Sequence, residues 1–137
     1  MRLLDRATCE ENHQRFVRRI IESETVWYLS NPDGVANSVS NDDEETTILL
    51  FWSDEAYARR AKIEEFNEYT ETKMDLFDFL FRWLPRMSQD GVLAGTNWTQ
   101  DLIGIEIDPF KLREEIEDMM PQELKQTHDE KYQELTK

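Results

Sequence analysis

The run Thr46-Thr47-Ile48-Leu49-Leu50-Phe51-Trp52 leaves a folding chain few choices, because it is densely apolar, β-forming and too short for a free-standing amphipathic helix. It ends abruptly at Ser53-Asp54-Glu55, where Ser53 can cap a helix and the acids fall in a first turn whose amide dipoles favour negative charge. The stretch reads as a central strand handing the chain to a helix, with Ala56, Tyr57, Arg60, Ala61 and Glu64 on or beside one face. Strand-to-helix corners often carry binding sites.

The rest of the chain can be arranged around that strand. Thr8-Cys9-Glu10-Glu11 fits a capping box, and Phe16, Val17, Ile20 and Ile21 recur at helical spacing, which predicts a helix over residues 9–23. Thr25 to Leu29 is a β-branched and aromatic run, Asn31-Pro32-Asp33-Gly34 is a tight turn, and Val35 to Ser40 continues as a strand. Asn41-Asp42-Asp43-Glu44-Glu45 repels itself and reads as an exposed loop. Thr70 to Met74 is either a loop or a short edge strand. Asp75 can then cap a helix whose Leu76, Phe77, Phe79, Leu80, Phe81, Trp83 and Leu84 leave little of its circumference polar, ending at Ser88-Gln89-Asp90-Gly91. Val92 to Ala94 and Leu102 to Ile107 read as strands. Asp108-Pro109 starts a helix with Phe110, Leu112, Ile116, Met119 and Met120 on its apolar side, and Pro121 closes it.

These elements give an α+β domain over residues 1–121, a mostly antiparallel sheet of about five strands packed with about four helices in the order αβββααββα. Residues 122–137 are a polar tail or an appended helix, dispensable for the core. A chain of 137 residues is long enough to bury such a core without disulfides or metal. Thirty Asp and Glu against sixteen Lys and Arg give a net charge of −14, which repels phosphate backbones and anionic lipids. Nucleic acid and membrane are not expected partners, whereas a basic protein surface would be attracted. Cys9 is the lone cysteine, the first residues form no apolar signal-peptide core, and no run approaches about eighteen apolar residues, so the expected location is the cytoplasm. Asn97-Trp98-Thr99 matches the glycosylation pattern by chance in such a protein.

Several blocks together carry a resemblance: Val26-Trp27-Tyr28-Leu29, Asp33-Gly34, Phe51 to Ala58, Phe79 to Met87, Asp90-Gly91-Val92-Leu93 and Asn97-Trp98. In that order they resemble the bacterial family catalogued as domain of unknown function 2750, over roughly Phe16 to Ile116. Some blocks are similar, more weakly, to secretion-enhancer B-like domains. The resemblance implies a compact α+β bacterial protein and no established activity, so it assigns no catalytic residues. The acidic Asp42 to Glu45 insert and the long tail depart from the usual family pattern.

Catalytic chemistry has little to stand on. Cys9 and His13 share a helical face at a spacing that would let an imidazole activate a thiol, but no orienting acid is evident nearby in sequence. Glu106 and Asp108 point the same way from a strand and read as an exposed face ending in a cap. Two distant His residues make no metal site, and Asp42 to Glu45 lacks the alternating ligands and central glycine of a calcium loop. No cofactor is expected. Of the four Trp residues, Trp83 reads as core, while Trp52 and Trp98 lie where strands give way and could line a partly open surface. The expectation is a non-enzymatic protein-interaction module, an inhibitor or immunity-type role among the options, with Trp52, Asp54, Tyr57 and Trp98 as the contact neighbourhood. The alternative is a small-ligand or anion-binding protein or enzyme using the same corner; a homodimer face is a third option.

Overall fold

The structure, a computed structural model, describes residues 6–40, 43 and 45–136. The reading of the first five residues and most of the acidic 41–45 loop lie outside the described residues. Helix α1 (Arg6–Ser23) buries Cys9, His13, Phe16, Val17 and Ile20, a stripe set by the 3.6-residue period. Because the helix already includes Arg6, Thr8 lies inside it and is not its cap, unlike the capping-box expectation. Glu24, at φ 55°, takes the left-handed conformation that ends a helix, and the chain enters β1 (Thr25–Asn31).

The expected turn at Asn31 to Gly34 forms, and β2 (Gly34–Val35) pairs back on β1. The next strand, β3 (Asn37–Val39), does not continue the same pairing but lies antiparallel to β4 (Thr47–Phe51). Ala36 explains the switch: its N–H donates to the Leu29 carbonyl (2.8 Å) and its carbonyl accepts from the Leu50 N–H (3.3 Å). Trp27 and Trp52 exchange two backbone hydrogen bonds of 2.8 Å each, so β1 and β4 meet there and part around the Val35–Asn37 segment. The single sheet expected from sequence is therefore two sheets, ordered β2-β1-β5 and β3-β4-β6-β7.

After α2 (Glu55–Arg60), shorter than its apolar pattern suggested, the ambiguous segment becomes β5 (Thr70–Asp75). It is an edge strand, in register with β1 from Thr25↔Asp75 to Ser30↔Thr70. Helix α3 (Leu76–Asp78), a π-helical turn (Phe79–Trp83) and α4 (Leu84–Gln89) form one continuous element. The Leu84 N–H bonds to the Phe79 carbonyl five residues back, which widens the helix just before Pro85, a residue with no N–H to give the regular ladder. β6 (Leu93–Thr96) lies parallel to β4, with Phe51 opposite Thr96, and β7 (Ile105–Ile107) pairs antiparallel with β6. The expected strand from Leu102 is cut short because residues 99–103 turn: Leu102 has φ 58°, and the Thr99 N–H bonds to the Ile103 carbonyl. Helix α5 (Pro109–Met119) is capped as its sequence predicts, the Asp108 carboxylate accepting from the N–H groups of Phe110 (3.0 Å) and Lys111 (3.1 Å). Phe110 and Met119, expected on its apolar side, are exposed instead. The tail is helix α6 (Gln122–Leu135).

Strand β4 has a core on each face. Ile48, Leu50 and Trp52 pack with Leu29, Ala58, Phe66 and Trp98, whereas Phe51 packs with Phe16, Ile20, Phe79 and Ile116. The two-residue period thus sends alternate apolar side chains into different cores, which is why the sequence run is continuous rather than alternating. Each such side chain contributes about 1.5–3 kcal/mol by burial. Among the described residues no helix is long and apolar enough to cross a membrane.

Candidate functional site

The parallel strands β4 and β6 both end at the same edge, and the chain leaving each is tied to the other. Asn97, held at φ 49°, donates its backbone N–H to the Phe51 carbonyl (2.9 Å), while its side-chain oxygen accepts from the Ser53 N–H (2.9 Å). Its side-chain amide reaches the Ser53 hydroxyl (3.1 Å) and the Asn12 carbonyl on α1 (3.2 Å). One asparagine therefore joins β4, β6 and α1. Beyond it opens a cleft of about 480 Å³ lined by Asn12, Arg15, Tyr57, Arg60, Asn97, Trp98, Thr99 and Gln100.

Of the residues expected at the corner, the structure brings Tyr57 and Trp98 to the cleft. Trp52 is not at the surface: it is 0% exposed, and its indole N–H donates to the Trp98 carbonyl (2.9 Å). Trp98 is 4% exposed, its own indole N–H bonded to the Ile105 carbonyl (2.8 Å). Its ring fits against Gly95 and Gly104, where a Cβ would come within 2.6 and 2.3 Å of it. Asp54, not the expected Ser53, stands at the N-cap of α2, and its side chain makes no bond to the helix amides; the Ser53 hydroxyl instead donates to the Asp54 carboxylate (2.7 Å). Arg19 clamps that carboxylate through Nε (3.1 Å) and Nη2 (2.6 Å). Burial pushes the Asp54 carboxyl up, but the Arg19 guanidinium and the Ser53 hydroxyl outweigh it and leave it below its ordinary value.

From the sequence, Arg60 is placed only on a helix face and Arg15 is not singled out, so neither is expected as a site residue. Arg15 is steadied by the Asn12 side-chain oxygen (2.9 Å), and the Arg60 guanidinium lies 4.8 Å from the centre of the Tyr57 ring. Arg6, Arg19, Arg59, Arg82, Arg86 and Arg113 each meet a carboxylate. Among the described residues Arg15, Arg18 and Arg60 do not, and two of those three line the cleft.

The other candidates resolve into structural roles. His13 does not serve Cys9: its Nδ1 lies 2.7 Å from the Thr96 hydroxyl and its Nε2 is 2.6 Å from the Glu115 carboxylate. Hydroxyl, imidazole and acid in a row resemble a catalytic relay, but Thr96 is 0% exposed and no substrate can reach it. Glu106 accepts from the Ser40 hydroxyl (2.6 Å) and Asp108 caps α5, so they form no working pair. Asp43 organises its own loop, accepting from the Glu45 N–H and the Thr46 hydroxyl, bonds that hold its carboxyl below the ordinary value. Among the described residues no group of three or more His, Cys, Asp or Glu converges as a metal site.

A family described as "Protein of unknown function (DUF2750)" matches residues 13–116. The chain belongs to that family. The match runs from within α1 to within α5; it takes in the cleft residues from Arg15 to Gln100 and leaves α6 outside. The comparisons do not show the weaker similarity to secretion-enhancer B-like domains, and no curated protein or solved structure matched the chain.

Proposed function

We propose that the chain is a non-enzymatic binding protein whose cleft takes a small ligand through an anionic group, a carboxylate or a phosphate. The observation that carries this reading is the lining: two arginines and no Asp, Glu, His or Cys, in a chain of net charge −14. Anions are repelled by most of such a surface, so two guanidinium groups that form no salt bridge among the described residues, Arg15 sensing the Arg19-clamped Asp54 only through space, mark where one would be held. The absence of an acid, imidazole or thiol from the lining supports binding over catalysis, since Tyr57 and Thr99 have no base beside them there. The cleft lies beyond the carboxyl ends of neighbouring parallel strands, a recurrent position for ligands in α/β sheets. A buried lone Cys9 is compatible with the reducing cytoplasm proposed for it.

The test is a thermal-shift series with inorganic phosphate, phosphate monoesters and di- and tricarboxylates at low salt. A ligand at about a hundred times its dissociation constant stabilises the fold by about 2.7 kcal/mol. Arg15→Gln and Arg60→Gln should each remove that shift; a shift retained in both variants would place the anion elsewhere, and no shift with any probe would end the proposal.

A second reading, a protein partner with a basic surface, is favoured by the net charge alone. With Trp52 buried and Asp54 already neutralised by Arg19, such a partner would have to use other exposed carboxylates. Salt-sensitive capture supports it, and mass in solution separates it from a homodimer.

A further inference from the structure

His128 occupies an unusual position for a polar residue on a helix outside the family domain. It is 5% exposed, and its Nδ1 has no hydrogen-bond partner among the described residues. Its ring stands nearly perpendicular to Phe77 (centroids 5.5 Å) and Phe81 (6.0 Å), both on the wide helical element at α3 and the π turn. Tyr132, one turn further along α6, stacks on Phe81 at 5.1 Å. Leu124, packed against the main core, completes the set of apolar anchors on α6.

We infer that α6 is a pH-released strap: it covers Phe77 and Phe81 while the His128 imidazole is neutral and lets go when that imidazole takes a proton. This inference stands apart from the cleft. A neutral imidazole tolerates an apolar seat, although an unbonded Nδ1 weakens the seat; an imidazolium there is a poorly solvated charge whose Nδ1–H has no acceptor among the described residues, with acids acting on it only through space. The rings around it offer little compensation, because Arg113 from α5 already lies over Phe81 and Lys131 over Phe77, each at 4.5 Å. The charges acting on His128 are Glu24 at the α1–β1 corner, Glu117 on α5, and Asp129 and Lys131 on α6, with Arg113 of α5 over the neighbouring Phe81 ring. The acids favour its protonation and Lys131 opposes it, but burial is the largest influence and lowers its proton affinity. The helix depends on this docking to stay ordered, since a free segment of its length is marginally helical in water.

The sign follows from linkage. The docked state binds a proton less readily than the free helix, so docking is complete above the ordinary histidine value of about 6.5. Between that value and the lower one of the docked state, the docking constant falls by up to about tenfold per pH unit.

The experiment is a heteronuclear NMR titration of the full chain from neutral pH downward. It follows the His128 ring protons, the Cα shifts of Gln122–Leu135 and the ring-current-shifted signals of Tyr132, against signals from β1, β4 and β6. The expected result is that α6 loses helical shifts as His128 protonates while the sheet signals stay native, and that His128→Phe and His128→Leu hold α6 docked throughout. Protonation of His128 with α6 still docked would overturn the inference, as would release at the same pH in both variants or loss of α6 only together with the sheets. The wild-type titration decides the matter even where a variant fails to fold.

Discussion

The indole N–H of Trp52 donates to the backbone carbonyl of Trp98 at 2.9 Å, joining the chain leaving β4 to the chain leaving β6. Both residues are buried, so water cannot replace the bond if it is lost. Trp52→Phe keeps a ring but removes the donor, leaving a carbonyl to be satisfied; a loss of about 1–3 kcal/mol is expected by urea unfolding. Trp52→Ala adds a cavity and should cost about 3–5 kcal/mol. Equal stability for wild type and Trp52→Phe would show that the hydrogen bond contributes nothing.

Gly104→Ala tests how tightly the other face of Trp98 is held. The new Cβ would sit 2.3 Å from the indole Cδ1, so the ring or the β7 approach must move. Overpacking of this kind costs about 1–3 kcal/mol. The displaced indole should also weaken anion binding at the cleft, measured by calorimetry, whereas Gly91→Ala, where φ is +70° but no atom lies close, should strain the turn and leave binding intact.

The Arg19–Asp54 clamp gives a signed dependence on pH. Because the Asp54 carboxyl is held below its ordinary value in the fold, its contribution is complete above the ordinary carboxylate range, about 3.9, and fades as pH falls through the lowered value. Arg19 is half in solvent, so the whole effect is expected to be no more than about 1 kcal/mol. Asp54→Asn should therefore be less stable than wild type at neutral pH, with the gap narrowing toward pH 3. A gap that widens in acid would contradict the assignment.

His13 joins three elements, α1, β6 and α5, through Thr96 and Glu115. His13→Leu fills the space but strands the buried Thr96 hydroxyl and releases the part-exposed Glu115 carboxylate to water, and should destabilise by about 1–3 kcal/mol. The double change with Glu115→Leu should recover part of that loss, since both sides of one bond are then apolar. A double-mutant cycle reads the coupling directly; additive losses would mean that the pair does not interact.

What the sequence made legible is what depends on neighbours within a few residues. The stripe of α1, the apolar run of β4, the Asn31–Gly34 turn and the Asp108-Pro109 start are each set by local period or local capping, and each is where it was expected. What it hid depends on residues far apart. Ala36 has no unusual neighbour to announce that it bonds to Leu29 on one side and Leu50 on the other. Thr70 to Asp75 is polar because it is an edge strand, and its partner β1 lies far back in the chain. The corner was expected to present Trp52 and Asp54 for contact, but Trp52 is buried and Asp54 is clamped by Arg19. Arg15, one of the two arginines lining the cleft, sits on α1 among other polar residues and gives no signal until the fold brings it to the same cleft as Arg60.

The parallel pairing of β4 with β6 has a consequence for assembly. A parallel pair cannot be closed by a hairpin, and the connection here contains α2, β5, α3 and α4, with β5 committed to β1 in the other sheet. Closing that long loop is entropically costly before its contacts form. Asn97 takes up its bonds to Phe51 and Ser53 only once β6 lies beside β4, so an intermediate without that pairing lacks the cleft. Occupancy of the cleft is therefore a report on the seating of β6 beside β4, and an anion that binds there would select that joined state over the species that precede it.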